Sequence, residues 1–309
     1  MRLMLIVNTS ASSVTARARV VIQKALSGAH DVTLRETNRR GHAARLAQGA
    51  AADGYDVVAV LAGDGTLNEA ANGLAHSGTA LAVLPGGSTN VFARTIGTAN
   101  DPIEATSQLL GALATGSVRS VSLGQLNGRY FLFHAGIGFD AAVVAQVEKM
   151  AFLKRYMGSA LFIVAALSTW ARGYDRHEPA FSLYADEERS AEASLQEGYF
   201  AICLNTDPYT FLGKHPLRLA PGTSIETPLT IVTFRKLKLK TLLPVVVGAL
   251  GKGAAAQRPK DVSFLWGTRR ATIKGHRPVP YQLDGDYVGE SELIELHWAK
   301  GALRLVLPR

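Results

Sequence analysis

A single cysteine, Cys203, among 309 residues excludes an intramolecular disulfide and fits a reducing compartment. Long apolar runs are scarce as well. Met1-Arg2 is followed by only five apolar residues before Asn8-Thr9-Ser10, too short for a signal-peptide core and better read as a first strand. Gly158 to Ala171 is nearly uncharged but falls short of a membrane span, and Leu237 to Leu250 is interrupted by Lys238, Lys240 and Pro244. The eight histidines show no metal-ligand spacing, and no serine or cysteine sits in a nucleophile elbow. Aromatic residues make up 7% of the chain and fit core strands rather than a base-stacking platform, which argues against a nucleic-acid partner. Acidic residues are outnumbered, 25 against 33 Lys and Arg, so the +8 balance favours an anionic partner.

What the chain does have is a regular first third. Strands are expected over 2–7, 31–36, 56–62 and 80–85, alternating with helices over 14–27, 41–52, 67–76 and 89–96, then a helix over 102–115. This rhythm implies a parallel sheet with right-handed crossovers, and such sheets bind ligands beyond the carboxyl ends of their strands. Asn8, Thr37, Asp64 and Gly87 fall at those ends. The later chain is mainly β. Asn127-Gly128 joins strands over 118–126 and 129–135 as a two-residue hairpin turn. Further strands are expected over 179–185, 198–205, 228–234, 261–266, 270–275, 279–284 and 291–298, with helices over 139–149, 156–172 and 239–251. A last strand, Leu303 to Leu307, follows a Lys300-Gly301 turn. The reading is therefore an α/β domain over 1–121, completed by 302–309, and an antiparallel β-rich domain over 122–301.

Two loops of the first domain carry the chemistry. Val57 to Leu61 runs into Ala62-Gly63-Asp64-Gly65-Thr66 and then a helical pattern. The next strand runs into Pro85-Gly86-Gly87-Ser88-Thr89-Asn90 and a second helix. Glycine turns that open helices offer backbone amides and the positive end of a helix dipole to phosphate, and Asp64 adds a carboxylate for Mg²⁺ or a proton. Thr66 and Glu69 also fit a capping box, which would account for both without a ligand. There is no Walker A sequence, and Gly63 does not begin a Rossmann fingerprint because Asn68 stands at its sixth position. Gly136-Ile137-Gly138-Phe139-Asp140-Ala141 matches G-x-G-x-x-A but follows a hairpin strand, so it is discounted as dinucleotide binding. Leu283-Asp284-Gly285-Asp286 reads equally as a hairpin turn or as two carboxylates for phosphoryl transfer. Arg235-Lys236-Lys238-Lys240 beside Leu239 to Leu250 is either a solvated face or a contact for anionic lipid headgroups.

Together these segments resemble the diacylglycerol kinase catalytic-domain family, in particular soluble bacterial lipid kinases related to sphingosine kinases. Gly63 to Glu69 resembles the family's GGDGT-x-NE signature, with Ala62 at its first glycine. Pro85 to Ala93 resembles P-x-GT-x-NDFA, with Ser88 at the usual Thr and Val91 at the usual Asp. Asn8 keeps the Asn of an N-P-x-[SA]-G loop whose Pro and Gly are absent, and Thr37 with Gly41-His42-Ala43 is similar to a second nucleotide-contact loop. Asp140 lies in a G-x-G-x-DA segment that faces the lipid headgroup in relatives, and Leu283 to Asp286 matches a DGE element with Asp286 for Glu.

The resemblance implies an N-terminal domain of phosphofructokinase and NAD-kinase type, a C-terminal β-sandwich that receives lipid, and an active site in the cleft between them. It implies ATP as co-substrate, Mg²⁺, and a lipid acceptor, diacylglycerol foremost. Asn8, Thr37, Gly63, Asp64, Gly65, Thr66, Glu69, Gly87, Ser88, Thr89 and Asn90 would hold nucleotide. Asp64 and Asp286 would hold metal, Asp140 would meet substrate, and Asp284 would accept the hydroxyl proton. A cytoplasmic protein in peripheral contact with the membrane follows, and a homodimer is left open. An NAD kinase and a sensor without turnover are the alternatives. No T-x-T-G-S-T-A-Y-like segment supports the first. Ala62, Val91 and Asp286 keep the second open.

Overall fold

The computed structural model describes residues 1–149, 178–185, 194–257 and 259–308. The helix expected over 156–172 and the apolar stretch from 158 to 171 lie outside these residues. The chain divides into two compact units, Met1–Ser122 with Lys300–Arg309, and Leu123–Ala299.

The first unit is built on β1 (Arg2–Val7), β2 (Asp31–Glu36), β3 (Val57–Ala62) and β4 (Ala80–Pro85). They pair in parallel in the order β4-β3-β1-β2. Every residue of β3 and β4 is buried, as expected of central strands covered on both faces. The helices are α1 (Ala16–Ser27), α2 (His42–Ala52), α3 (Asp64–Leu74), α4 (Val91–Thr95) and α5 (Pro102–Ala114). Ile22 and Leu26 of α1 and Leu109 and Leu113 of α5 share one core with Leu3, Leu5, Val7, Ala59 and Leu84. Helices α2 and α3 pack tightly together, because a Cβ on Gly73 would stand 2.3 Å from the Ala44 carbonyl oxygen. The helix starts follow local chemistry: the Thr15 hydroxyl accepts from the Ala18 amide, and the Asp101 carboxylate accepts from Ile103 and Glu104 with Pro102 opening α5.

Helix α3 begins three residues before the expected start of 67. Gly63, extended at φ −83° and ψ 175°, is its N-cap, so the Gly63-Asp64-Gly65 turn is taken into the helix itself.

The second unit is antiparallel. Strand β5 (Val118–Leu126) begins in the first unit and leads through the Asn127-Gly128 turn to β6 (Arg129–Phe131). Both turn residues have positive φ, 45° and 83°, as a two-residue hairpin requires. Then come β7 (His134–Gly138), α6 (Phe139–Lys149), β8 (Phe181–Ala185), β9 (Ser194–Gly198) and β10 (Phe200–Leu204). The remainder comprises β11 (Thr210–Leu212), β12 (His215–Leu217), β13 (Leu229–Phe234), α7 (Leu239–Leu250), β14 (Val262–Thr268), β15 (Arg270–Leu283) and β16 (Asp286–Val306). The main order is β14-β13-β10-β7-β15-β16, with β8 on β15 and β9 on β8. Ile137, Leu183, Cys203, Ile231, Ile273 and Leu296 meet in one core. On the other face of β10 and β13, Ile202 and Val232 pack with Phe139 of α6 and Val245 of α7.

Three expectations change here. The strand foreseen over 129–135 is broken at Leu132-Phe133, whose amides bond to a side chain instead of a neighbouring strand. The strands foreseen over 270–275 and 279–284 are one strand, β15, whose pairing with β16 shifts register between Lys274 and Val279. No turn interrupts Lys300-Gly301: β16 runs through Gly301, at φ 63°, and its Arg304 and Leu305 pair in parallel with Ala80 and Leu81 of β4.

Candidate active site

Asn8, Thr37, Gly63 and Gly86 each directly follow one of the four parallel strands. Strand order reverses between β1 and β3, and an open α/β sheet offers its binding crevice there. At that point the Asn8 side-chain amide donates to the Thr66 hydroxyl at 3.0 Å, while its oxygen accepts from the Ser10 amide at 3.0 Å. The Thr37 amide donates to the Val7 carbonyl at 2.9 Å, holding the β2 end beside β1.

The glycines bring the two loops together. A Cβ on Gly87 would stand 2.8 Å from the Gly63 Cα, and one on Gly86 2.9 Å from the Ala62 nitrogen. Only bare backbones can stack this closely. Asp64 then crosses from the first loop to the second: its carboxylate oxygens accept from the Val91 amide at 2.9 Å and the Phe92 amide at 3.1 Å. The carboxylate thus caps α4. Asn90, left-handed at φ 50°, closes the second loop on itself, accepting from the Gly87 amide at 2.8 Å and donating to the Gly87 carbonyl at 2.9 Å. Gly63, Asp64, Gly65, Thr66, Gly87 and Thr89 are partly exposed, and Ser88 is exposed.

The capping box expected at Thr66 and Glu69 does not form. With Gly63 as N-cap, Thr66 lies inside the first turn and Glu69 a turn further on. Glu69 reaches to α2 instead, accepting from the Gly41 amide at 2.7 Å and the Ala43 amide at 3.2 Å.

The second unit holds a different cluster. Asp284 and Gly285 form the two-residue turn between β15 and β16, both at positive φ, 50° and 82°, with Leu283 opposite the half-buried Asp286. The buried Asp284 carboxylate accepts three amides, from Leu132 at 2.7 Å, Phe133 at 2.9 Å and His134 at 3.1 Å. Carbonyls of the same corner are taken by Asn205, whose side chain donates to Leu132 at 2.8 Å, and by the Asn205 and Thr206 amides on Phe133. The hairpin turn and the 132–134 corner therefore hold each other.

Asp140, in the first turn of α6, is the second carboxylate of the cluster and is half-buried. It accepts from the Tyr209 hydroxyl at 2.6 Å and from the Gln282 side-chain amide at 2.8 Å. Gln282 in turn accepts from the Gly285 amide at 2.8 Å, linking Asp140 to the Asp284 turn. The two glycines of the Gly136-Ile137-Gly138 segment serve this arrangement. A Cβ on Gly136 would occupy the place of the Asp140 carboxylate, 1.7 Å from its oxygen, and Gly138 turns into α6 at φ 82°. Burial raises the Asp140 pKa, opposed by its bonds to Tyr209 and Gln282. Burial also raises the Tyr209 pKa, with the Asp140 charge adding to it. The His134 ring lies 4.5 Å from that of Tyr209, centroid to centroid, and burial lowers its pKa to about 3. His134 Nδ1 and Thr206 Oγ1 are buried without a hydrogen-bond partner.

The residues expected at the nucleotide site thus lie within the first unit, and within the second Gln282 joins Asp140 to the Gly285 amide of the Asp284 turn. Among the described residues no three His, Cys, Asp or Glu side chains converge as a metal cage. Sequence patterns do not single out His134, Asn205, Thr206, Tyr209 or Gln282 as site residues. Gln282 carried one usable signal, two residues before Asp284 on a strand. The 205–209 segment carried none.

Residues 2–126 match the family described as diacylglycerol kinase catalytic domain. The chain is 36% identical over 274 residues to the diacylglycerol kinase of Bacillus subtilis, covering 87% of this chain and 84% of that protein. It is 34% identical over 157 residues to a probable YegS-like lipid kinase of Pseudomonas aeruginosa, a match that spans 49% of that protein. A crystal structure of a diacylglycerol kinase from Bacillus anthracis superposes with a TM-score of 0.76 over 99% of this chain and 96% of its own, at 22% identity. At that identity the likeness shows the fold.

Proposed function

The chain belongs to the diacylglycerol kinase catalytic-domain family, and on that premise we propose that it is a lipid kinase, transferring the γ-phosphate of ATP to a lipid hydroxyl. The proposed acceptor is diacylglycerol and the product phosphatidic acid. The carrying observation is the 36% identity that extends over 84% of the Bacillus subtilis diacylglycerol kinase. The stacked glycine loops at the switch point of a parallel sheet support it.

In this reading the Gly63–Thr66 and Gly86–Asn90 loops bind the nucleotide phosphates, with amides at the start of α3 and the hydroxyls of Thr66, Ser88 and Thr89 as donors. Asn8, Thr37 and Glu69 line the same strand ends, Glu69 by fixing the start of α2. Asp64 sets the second loop against the first through α4. Mg²⁺, when bound, would neutralise charge developing on the phosphoryl oxygens. Asp64 and Asp286 are the proposed protein ligands. Both Asp64 oxygens already accept amides, so phosphate and water oxygens would supply most of the shell, as is usual for this ion. Asp284 would take the hydroxyl proton as the new O–P bond forms and ADP leaves, and Asp140 would contact or orient the lipid headgroup.

Among the described residues no helix is long and apolar enough to cross a membrane. The proposed location is cytoplasmic, with peripheral contact to the membrane from which the lipid is drawn. The test is to present γ-labelled ATP and Mg²⁺ with diacylglycerol, monoacylglycerol, a sphingoid base and an isoprenoid alcohol. Labelled phosphatidic acid is expected. Label on another lipid alone would correct the acceptor, and label on no lipid would overturn the reading.

A further inference from the structure

Helix α7, with the sequence LKTLLPVVVGAL, is apolar on two sides. Val245 and Ala249 face a core shared with Phe234, Leu237 and Val262. Leu239, Leu243, Val246, Val247 and Leu250 face outward and are between 48% and 64% exposed. Their spacing of four, three, one and three residues lays them along one side of the helix. Single exposed aliphatic residues are ordinary on a protein surface, but a continuous strip marks a contact.

Two further observations identify the occupant. Lys236, Lys238 and Lys240 are exposed around the start of α7, and Lys252 follows its end. The helix itself has no acidic residue and no side-chain cap. One carboxylate stands at its start, Asp261, which pairs with Lys236 at 2.9 Å and accepts from the Thr241 hydroxyl at 3.4 Å. Lys238 and Lys240 leave an excess of positive charge at the positive end of the dipole, which anions relieve. The second observation lies on the edge strand β14. Val262 and Phe264 face the core under α7, and Trp266 continues that face, stacked on Phe264 with ring centroids 6.4 Å apart and 45% exposed. A half-exposed tryptophan on the sheet face that α7 covers suits the level of lipid headgroups.

We infer that α7 and Trp266 form the surface by which this unit docks on an anionic lipid bilayer, the aliphatic strip entering the acyl boundary and the lysines meeting lipid phosphates. This deepens the lipid-kinase reading and rests on it for its biological sense, since a long-chain acceptor has to be drawn from a membrane. A second copy of the chain is the poorer fit, because α7 carries no carboxylate and the one at its start, Asp261, is already paired with Lys236.

The test is co-sedimentation of the whole protein with phosphatidylcholine vesicles, with and without phosphatidylglycerol. Wild type should bind the anionic vesicles more tightly. L243E/V247E should lose binding to both kinds by about tenfold or more. K238E/K240E should lose about tenfold on anionic vesicles alone, and W266A should weaken binding to both. All variants should keep the wild-type circular dichroism spectrum and the wild-type rate on a dispersed short-chain acceptor. Vesicle binding needs no turnover, so a protein that binds as described but transfers no phosphate would retire the kinase reading and leave the docking surface standing. L243E/V247E bound as tightly as wild type would overturn the inference. So would a wild-type dimer that this substitution converts to a monomer, which would make the strip a contact between copies.

Discussion

Replacing Asp284 with Asn separates the two roles that meet in that side chain. Asparagine tolerates the left-handed backbone at φ 50°, so the hairpin turn itself is not strained by the change. The side chain is the difference. One carboxylate oxygen accepts from Phe133 and His134, the other from Leu132, and asparagine can keep an oxygen on only one of these sides. With the oxygen left on the Phe133 and His134 pair, the new amide group faces the Leu132 N–H and leaves a buried donor unpaired, at about 1–3 kcal/mol. The two surviving bonds fall from charge-assisted to neutral, at about 1 kcal/mol each. The expected loss is therefore about 3–5 kcal/mol, seen as a lower urea midpoint at unchanged slope, and as a melting temperature lower by roughly 10 °C for a unit of this size. An unchanged midpoint would refute the claim that these three amides are held by the carboxylate. Turnover is then measured at a low temperature where both proteins are folded. If Asp284 accepts the acceptor's proton, the rate falls by about 100-fold or more. Full turnover would remove Asp284 from the chemistry while leaving its part in the fold.

Gly87→Ala places a Cβ 2.8 Å from the Gly63 Cα, so it should destabilise by about 1–3 kcal/mol in urea and weaken ATP binding measured by calorimetry. Glu69→Ala removes the carboxylate that accepts from Gly41 and Ala43, and should cost about 1 kcal/mol in the same unfolding assay. Acid sensitivity should trace to His134, whose pKa burial lowers from the usual 6.5 to about 3 in the folded state. Its contribution is present above pH 6.5 and lost as pH falls toward 3, at about 1.4 kcal/mol per pH unit. Asp140, with a raised folded pKa, works in the opposite sense, its contribution being lost as pH rises above 3.8. Comparing urea stability of wild type and His134→Leu between neutral and acid pH isolates the histidine; parallel pH profiles would contradict its assignment.

The alternating half of the fold was legible because its signals are local. Strands β1, β3 and β4 are short apolar runs, β2 alternates Val32 and Leu34 with polar residues, and β1, β2 and β4 occupy the expected residues. Both two-residue turns, Asn127-Gly128 and Asp284-Gly285, were legible for the same reason, since their residue types suit positive φ. The capping box misled because Thr66 and Glu69 fit it locally, while the helix start is set by Gly63 and its packing on Gly87. The network of the second unit was beyond local reading. Tyr209 and Asp140 are 69 residues apart, Gln282 and Asp140 142, and Asp284 and Leu132 152. No periodicity or spacing records such contacts, which arise only when β7, β10 and β15 lie side by side. The resemblance marks Asp140 and Asp284, but not the glutamine that ties Asp140 to the turn holding Asp284.

Phosphate transfer from ATP to a lipid is decided by incubating the purified protein with γ-labelled ATP, Mg²⁺ and mixed micelles of diacylglycerol, with NAD offered in parallel, and identifying the labelled product by mass. Phosphatidic acid is the expected product. Label on NAD alone would contradict it in favour of an NAD kinase, and a protein that binds ATP but labels neither would be a sensor without turnover.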